Sequence, residues 1–128
     1  MKSILIADDD EFYSTLLRNH LASDSCTFDI AHDGKAVIAK LKSASYDLLI
    51  LDVHMDAING VQVLSIVKNM LPQLPVIMIT GDTSLELERT VRSYGVFYYL
   101  MKPHGKKELA EVVELALRKH GADRNTAH

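Results

Sequence analysis

Residues 46–55 read YDLLILDVHM. The block from Leu48 to Leu51 is apolar without a break, too short for an ordinary helix and lacking the alternation of a strand that keeps one face in water. Such a run suits a strand covered on both faces, as in a parallel sheet between layers of helix. Asp52 closes the run, and a carboxylate at the end of a buried strand calls for a chemical reason.

The rest of the chain repeats this plan. Strand-like segments are KSILIA (2–7), TFDIA (27–31), YDLLIL (46–51), PVIMIT (75–80) and VFYYLM (96–101), separated by amphipathic stretches and turn residues. The first helix is expected to carry Phe12, Leu16, Leu17 and Leu21 on one stripe, with Arg18, Asn19 and His20 around it. Asp33 is placed to cap the second helix, ahead of Ala36, Val37 and Leu41. A third spans roughly Gly60 to Met70, before Pro72. The fourth is expected to open with Thr83 and Glu86 in a capping box and to close at Gly95. The fifth turns Leu109, Val112, Val113 and Ala116 inward and is expected to stop near Gly121, leaving a frayed tail. Strands alternating with helices imply right-handed crossovers, hence an α/β fold with a five-stranded parallel sheet, order 2-1-3-4-5, and helices on both faces.

Composition limits what such a domain does. At 128 residues, 48% hydrophobic and with a net charge of −3, the chain is read as one soluble globular domain over residues 1–121, with 122–128 as a flexible tail or a junction to further sequence. Its scattered basic residues give no stripe for a phosphate backbone, so no direct nucleic-acid binding by this domain is expected. No apolar run approaches a membrane span, and SILIA is too short for a signal-peptide core. Cys26 is the sole cysteine, which excludes an internal disulfide and fits a reducing, cytoplasmic location. The six histidines show no paired ligand spacing for zinc.

In the order 2-1-3-4-5 the chain reverses direction between strands one and three, and a ligand site is expected at their carboxyl ends. Asp8, Asp9 and Asp10 follow strand one, Asp52 ends strand three, Thr80 ends strand four, and Lys102 with Pro103 follows strand five. Crowded carboxylates resist ionising unless a cation offsets them, and an open oxygen cluster of Asp8, Asp9 and Asp52 suits Mg2+. Beside such an ion, the Asp52 carboxylate can accept a phosphoryl group while Lys102 and the Thr80 hydroxyl stabilise charge on the moving oxygens.

Taken together, ILIADDDEF, LLILDVHMDAINGVQVL, PVIMITGD and YYLMKPH resemble the motifs of a response-regulator receiver domain of two-component signalling, of the chemotaxis-regulator kind, over residues 2 to about 120. The resemblance implies the flavodoxin-like receiver fold, with Asp52 as phosphoacceptor. It further implies Asp9, Asp52 and the His54 backbone carbonyl as magnesium ligands, with Asp8 a ligand through water. Thr80 and Lys102 would bind the phosphoryl group, and Tyr99 would act with Thr80 as a switch. Tyr99 also reads as an ordinary half-buried strand aromatic. The implied partners are a sensor histidine kinase or histidine phosphotransfer protein upstream, and a downstream protein or fused output domain met by helix four, strand five and helix five.

Some positions depart from the family pattern. Asp56 stands where a proline commonly follows Met55, and His104 replaces the usual aromatic after Lys102-Pro103. Gly81 leaves the mouth of the site open, and His54 and Asp82 occupy positions that often influence dephosphorylation. Strand five lacks the acidic pair of DNA-binding regulators with winged-helix outputs, so their salt-bridged dimer is not implied.

Two alternatives differ in class. An aspartate-nucleophile phosphatase would use Asp8-x-Asp10, although Phe12 stands where Thr or Val is expected. A receiver-fold interaction module independent of phosphorylation would use the same face constitutively. The main reading is of a switch rather than an enzyme, with catalysis limited to its own phosphorylation and dephosphorylation.

Overall fold

A computed structural model describes residues 1–21, 25–55 and 59–126, with residues 120–126 described for their backbone alone. Strands β1 (Lys2–Ala7), β2 (Cys26–Ala31), β3 (Leu48–Asp52), β4 (Val76–Thr80) and β5 (Tyr98–Met101) alternate with helices α1 (Glu11–Leu21), α2 (Gly34–Ser43), α3 (Gly60–Met70), α4 (Leu85–Ser93) and α5 (Lys106–Thr126). All strand pairs are parallel and the sheet order is β2-β1-β3-β4-β5, as the alternation predicts. β3 and β4 are buried along their whole length. β2, at the sheet's edge, alternates half-buried and exposed positions up to its buried end at Ala31.

Strand side chains alternate between two cores. Ile4, Ile6, Leu48, Ile50, Ile77, Ile79 and Leu100 meet Leu17 of α1 and Leu109, Val112, Val113 and Ala116 of α5. Leu5, Leu49, Leu51, Val76, Met78 and Tyr99 face the other way, toward Val37 and Leu41 of α2, Val63, Leu64 and Val67 of α3, and Val91 of α4. Continuing this period of two past the strand ends assigns Asp8, Asp52 and Lys102 to the α1/α5 side and Thr80, with Tyr99, to the α4 side.

Several local expectations are corrected. On α1, Phe12 is 78% exposed and Leu16 lies at the surface, while Ser14 and Leu17 are buried. The inward face is therefore shifted from the expected stripe, and Ser14 tolerates burial because its hydroxyl donates to the Glu11 carbonyl, 3.1 Å. Asp10 opens this helix, its carboxylate accepting from Tyr13 N at 3.1 Å. α4 is capped by Ser84, which accepts from Leu87 N at 3.2 Å, and not by Thr83. The reason lies upstream: Thr80 Oγ1 accepts from Asp82 N and Asp82 Oδ1 from Ser84 N, at 3.0 and 2.8 Å, and these two turns carry the chain one residue further.

α5 runs to Thr126 instead of stopping near Gly121, so the segment expected to fray extends the helix. One glycine inside a helix costs only about 1 kcal/mol, and no proline follows it. The expected cap Asp33 stands, and α3 opens on Asn59, in a capping box with Gln62 that the sequence reading did not name. Asp56 lies outside the described residues.

Candidate functional site

β3 delivers Asp52 to the edge of the sheet with its side chain almost wholly buried and both oxygens engaged. Oδ1 accepts from His54 N at 2.9 Å, and Oδ2 accepts from Lys102 Nζ at 3.0 Å. The first bond turns the chain away just beyond the strand. The second spans the sheet, because Lys102 follows β5 and its N–H is fixed to the Thr80 carbonyl at 2.7 Å.

Asp8, one residue past β1, is 1% exposed. Its Oδ1 accepts from Asp10 N at 2.8 Å and its Oδ2 lies 3.7 Å from Lys102 Nζ. Burial, reinforced by the neighbouring Asp52 charge, pushes the Asp8 carboxyl up to about 6, with the Asp10 N–H and Lys102 acting in the opposite sense. Asp9 is exposed, yet carboxylate oxygens of Asp8, Asp9 and Asp52 all come within 4.8 Å of one another. One ammonium thus serves two buried carboxylates beside a third at the surface. This all-oxygen, anionic donor set fits a hard divalent cation, which would offset the burial and the Asp52 charge that together raise Asp8.

Two backbone features hold the Asp52 end of β3. Gly60 N donates to the Val53 carbonyl at 2.7 Å. A Cβ on Gly60 would lie 2.2 Å from the Asp52 carbonyl oxygen and 2.7 Å from Val53 Cα, so only glycine lets α3 start this close to the strand. The loop after β4 is more open: a Cβ at Gly81 would meet nothing nearer than Lys102 Cβ at 3.9 Å. Across this mouth His54 Nε2 lies 3.6 Å from Asp82 Oδ2, both side chains well exposed.

The expected residues fall into two groups. Asp8, Asp9, Asp52 and Lys102 converge. Thr80 is fully buried on the α4 side, its Oγ1 accepting from Asp82 N and its own proton left to donate. Tyr99 is buried, not half-buried, with the Arg92 guanidinium 5.6 Å from its ring centroid. Its hydroxyl has no hydrogen-bond partner among the described residues, and burial, with Glu88 and Asp82 nearby, holds the phenol above its ordinary range.

Tyr13, which the sequence reading did not single out, also touches the site. Its ring centroid lies 4.0 Å from Lys102 Nζ, and its hydroxyl hydrogen-bonds to His104 Nε2. The signal for it was indirect: an aromatic in the first turns of α1, and a histidine where an aromatic is usual after Lys102-Pro103.

A profile of the response regulator receiver domain matches residues 4–114. The chain belongs to that family. Among curated response regulators it is similar to ArlR of Staphylococcus haemolyticus, 32% identical over 93% of this chain and 54% of the relative. It is also similar to the transcriptional regulatory protein CpxR of Escherichia coli, 37% identical over 93% of this chain and 50% of the relative. The receiver thus spans about half the length of these two relatives. Among solved structures, a CheY-like receiver domain protein from Methanospirillum hungatei superposes with a TM-score of 0.91 at 26% identity, covering 96% of this chain and 98% of the other. Receiver identity and the flavodoxin-like, CheY-like architecture agree with the sequence reading. Among the described residues no helix is long and apolar enough to cross a membrane.

Proposed function

We propose that this receiver is a phosphoacceptor switch in a two-component phosphorelay and that Asp52 takes the phosphoryl group. The observation that carries the reading is a buried strand-end carboxylate 3.0 Å from a lysine ammonium, with two further carboxylates within 4.8 Å. In the transfer an Asp52 oxygen attacks phosphorus in line. The new O–P bond forms as the bond from phosphorus to the donor breaks, and the donor leaves with the bonding pair. A histidine kinase or histidine phosphotransfer protein supplies the group from phosphohistidine.

The residues divide the work. Lys102 Nζ turns from Asp52 Oδ2 to a phosphoryl oxygen, and the Thr80 hydroxyl, still holding its proton, donates to another. Asp9, Asp52 and the His54 carbonyl are the groups to hold Mg2+, with Asp8 acting through water; when bound, the ion neutralises charge on the phosphoryl oxygens. Movement of Thr80 toward the phosphoryl group and of Tyr99, on the same side of the sheet, then alters the surface of α4, β5 and α5. The Tyr99 hydroxyl, without a partner among the described residues, supports this, since an alternative position that satisfies it is favoured once space opens. The chain is then no enzyme toward other substrates.

The length of ArlR and CpxR supports a fused output domain; a separate downstream protein would meet the same surface, and the reading places the relay in the cytoplasm. Direct contact of this domain with nucleic acid or membrane is not part of the reading. Asp10 spends its carboxylate capping α1, which speaks against an Asp8-x-Asp10 phosphatase.

Intact mass spectrometry after incubation with acetyl phosphate and magnesium tests the reading. One phosphoryl adduct is expected, absent in Asp52→Asn and in EDTA. An adduct that survives Asp52→Asn, or none in the folded native chain, sinks it.

A further inference from the structure

Lys102 is held from three directions, and one of them is not a carboxylate. Asp52 Oδ2 lies 3.0 Å from its ammonium, Asp8 Oδ2 3.7 Å, and the face of the Tyr13 ring 4.0 Å from its centroid. An ammonium over a tyrosine face is attracted by the ring's quadrupole, more strongly where water is partly excluded, and the lysine side chain here is largely buried.

Tyr13 is itself fixed: its hydroxyl bonds to His104 Nε2, and the two rings meet edge-on, with centroids 5.9 Å apart at 73°. His104 is two residues beyond Lys102, so the hydrogen bond ties α1 to the segment that carries the lysine. The two carboxylate contacts depend on charge at Asp52 and Asp8, whereas the ring contact does not. When an Asp52 oxygen becomes part of an acyl phosphate, the lysine loses its nearest anchor at the moment it must find a phosphoryl oxygen.

We infer that Tyr13 is a positioning residue for Lys102: its ring face keeps the ammonium over the acceptor site while the lysine exchanges Asp52 for a phosphoryl oxygen. The inference rests on the phosphoacceptor reading. A leucine of similar volume at position 13 would fill the space without holding a cation, which separates positioning from packing.

The test compares the unaltered chain with Tyr13→Phe and Tyr13→Leu. Two readouts are used: the 1H–13C shifts of Lys102 Cε, assigned through Lys102→Arg, and the affinity for beryllofluoride in magnesium. A ring-current displacement of the Lys102 shifts is expected in the unaltered chain and in Tyr13→Phe, and its loss in Tyr13→Leu. Beryllofluoride affinity should fall roughly three- to tenfold in Tyr13→Leu and stay within about twofold in Tyr13→Phe.

Unchanged shifts and affinity in Tyr13→Leu overturn the inference, as does a loss in Tyr13→Phe equal to that in Tyr13→Leu, which would make the hydroxyl the agent. Asp52→Asn provides a check that needs no change at Tyr13. Its Lys102 shifts should stay displaced, and a return to the values of a solvated lysine overturns the inference. An unaltered chain that keeps displaced shifts yet binds no beryllofluoride sinks the phosphoacceptor reading, and the positioning role falls with it.

Discussion

Helices α3 and α4 both start in loops that leave the functional edge of the sheet, one after Asp52 and the other after Thr80, yet they are secured very differently. α3 has a reciprocal capping box, a glycine whose backbone touches the end of β3, and Gly60, Val63, Leu64 and Val67 buried. α4 has a serine cap, Val91 as its buried residue, and Leu85 69% exposed at its start. Free energies of local opening follow buried apolar area and protected backbone bonds. The helix that follows Asp52 is therefore the more firmly held of the two, and the helix that follows Thr80 the more easily displaced, although both residues themselves end buried strands. A switch needs both, since a fixed acceptor keeps the chemistry in register while a weakly held helix converts a sub-ångström change into a new surface.

Gly60→Ala should break this contrast most strongly, because its Cβ would overlap the backbone of Asp52 and Val53. A loss of about 3 kcal/mol or more is expected, read as a lowered urea midpoint. Gly81→Ala, with open space around it, should leave the midpoint almost unmoved. Equal losses at the two positions would remove the claim that α3 is the anchored helix.

Next in size is the division of chemistry across the sheet. Lys102→Ala should slow acetyl-phosphate labelling by on the order of 100-fold, as loss of one donor to a developing oxyanion does, whereas Thr80→Val should slow it less but blunt the change in α4. Stopped-flow labelling with hydrogen exchange on the labelled protein separates the two effects. A Thr80→Val loss as large as that of Lys102→Ala would place both residues in the chemistry and neither in the switch.

The Asp8 carboxyl supplies a pH test of the anchored side. Its folded value of about 6 stands above the ordinary 3.8, so the folded chain binds this proton more tightly than the unfolded chain. That contribution to stability is complete below pH ~4 and is lost as pH rises through about 6, leaving ionised Asp8 a liability on the order of 3 kcal/mol in metal-free protein. In EDTA, Asp8→Asn should match the native chain near pH 4 and melt higher at pH 8. Magnesium should narrow the gap by stabilising the native chain. No advantage at pH 8 would mean that the buried carboxylate is already fully compensated.

The smallest effect sharpens the other side. Ser84→Ala should cost about 1 kcal/mol and speed amide exchange across α4 while leaving α3 unchanged. Exchange in native α4 as slow as in α3 would mean that the two helices are held equally firmly.

The sequence by itself determined the sheet order, both cores and the convergence of Asp8, Asp9, Asp52 and Lys102, because periods of 2 and 3.6 and the positions of strand ends are local properties that survive into the fold. It also placed the cap Asp33, which acts within one turn. On α1 it placed Leu17 and Leu21 correctly but misjudged Phe12 and Leu16, which are as plausible inward positions as Tyr13 and Ser14, and the choice is made by what β1 and α5 leave room for. It set the α4 cap one residue early, since Thr80 and Asp82 spend their side chains on the intervening turn. Tertiary structure decided the company of Lys102: Tyr13 meets it from a helix nearly ninety residues away in the chain, and no local pattern carries the position of a ring face over an ammonium.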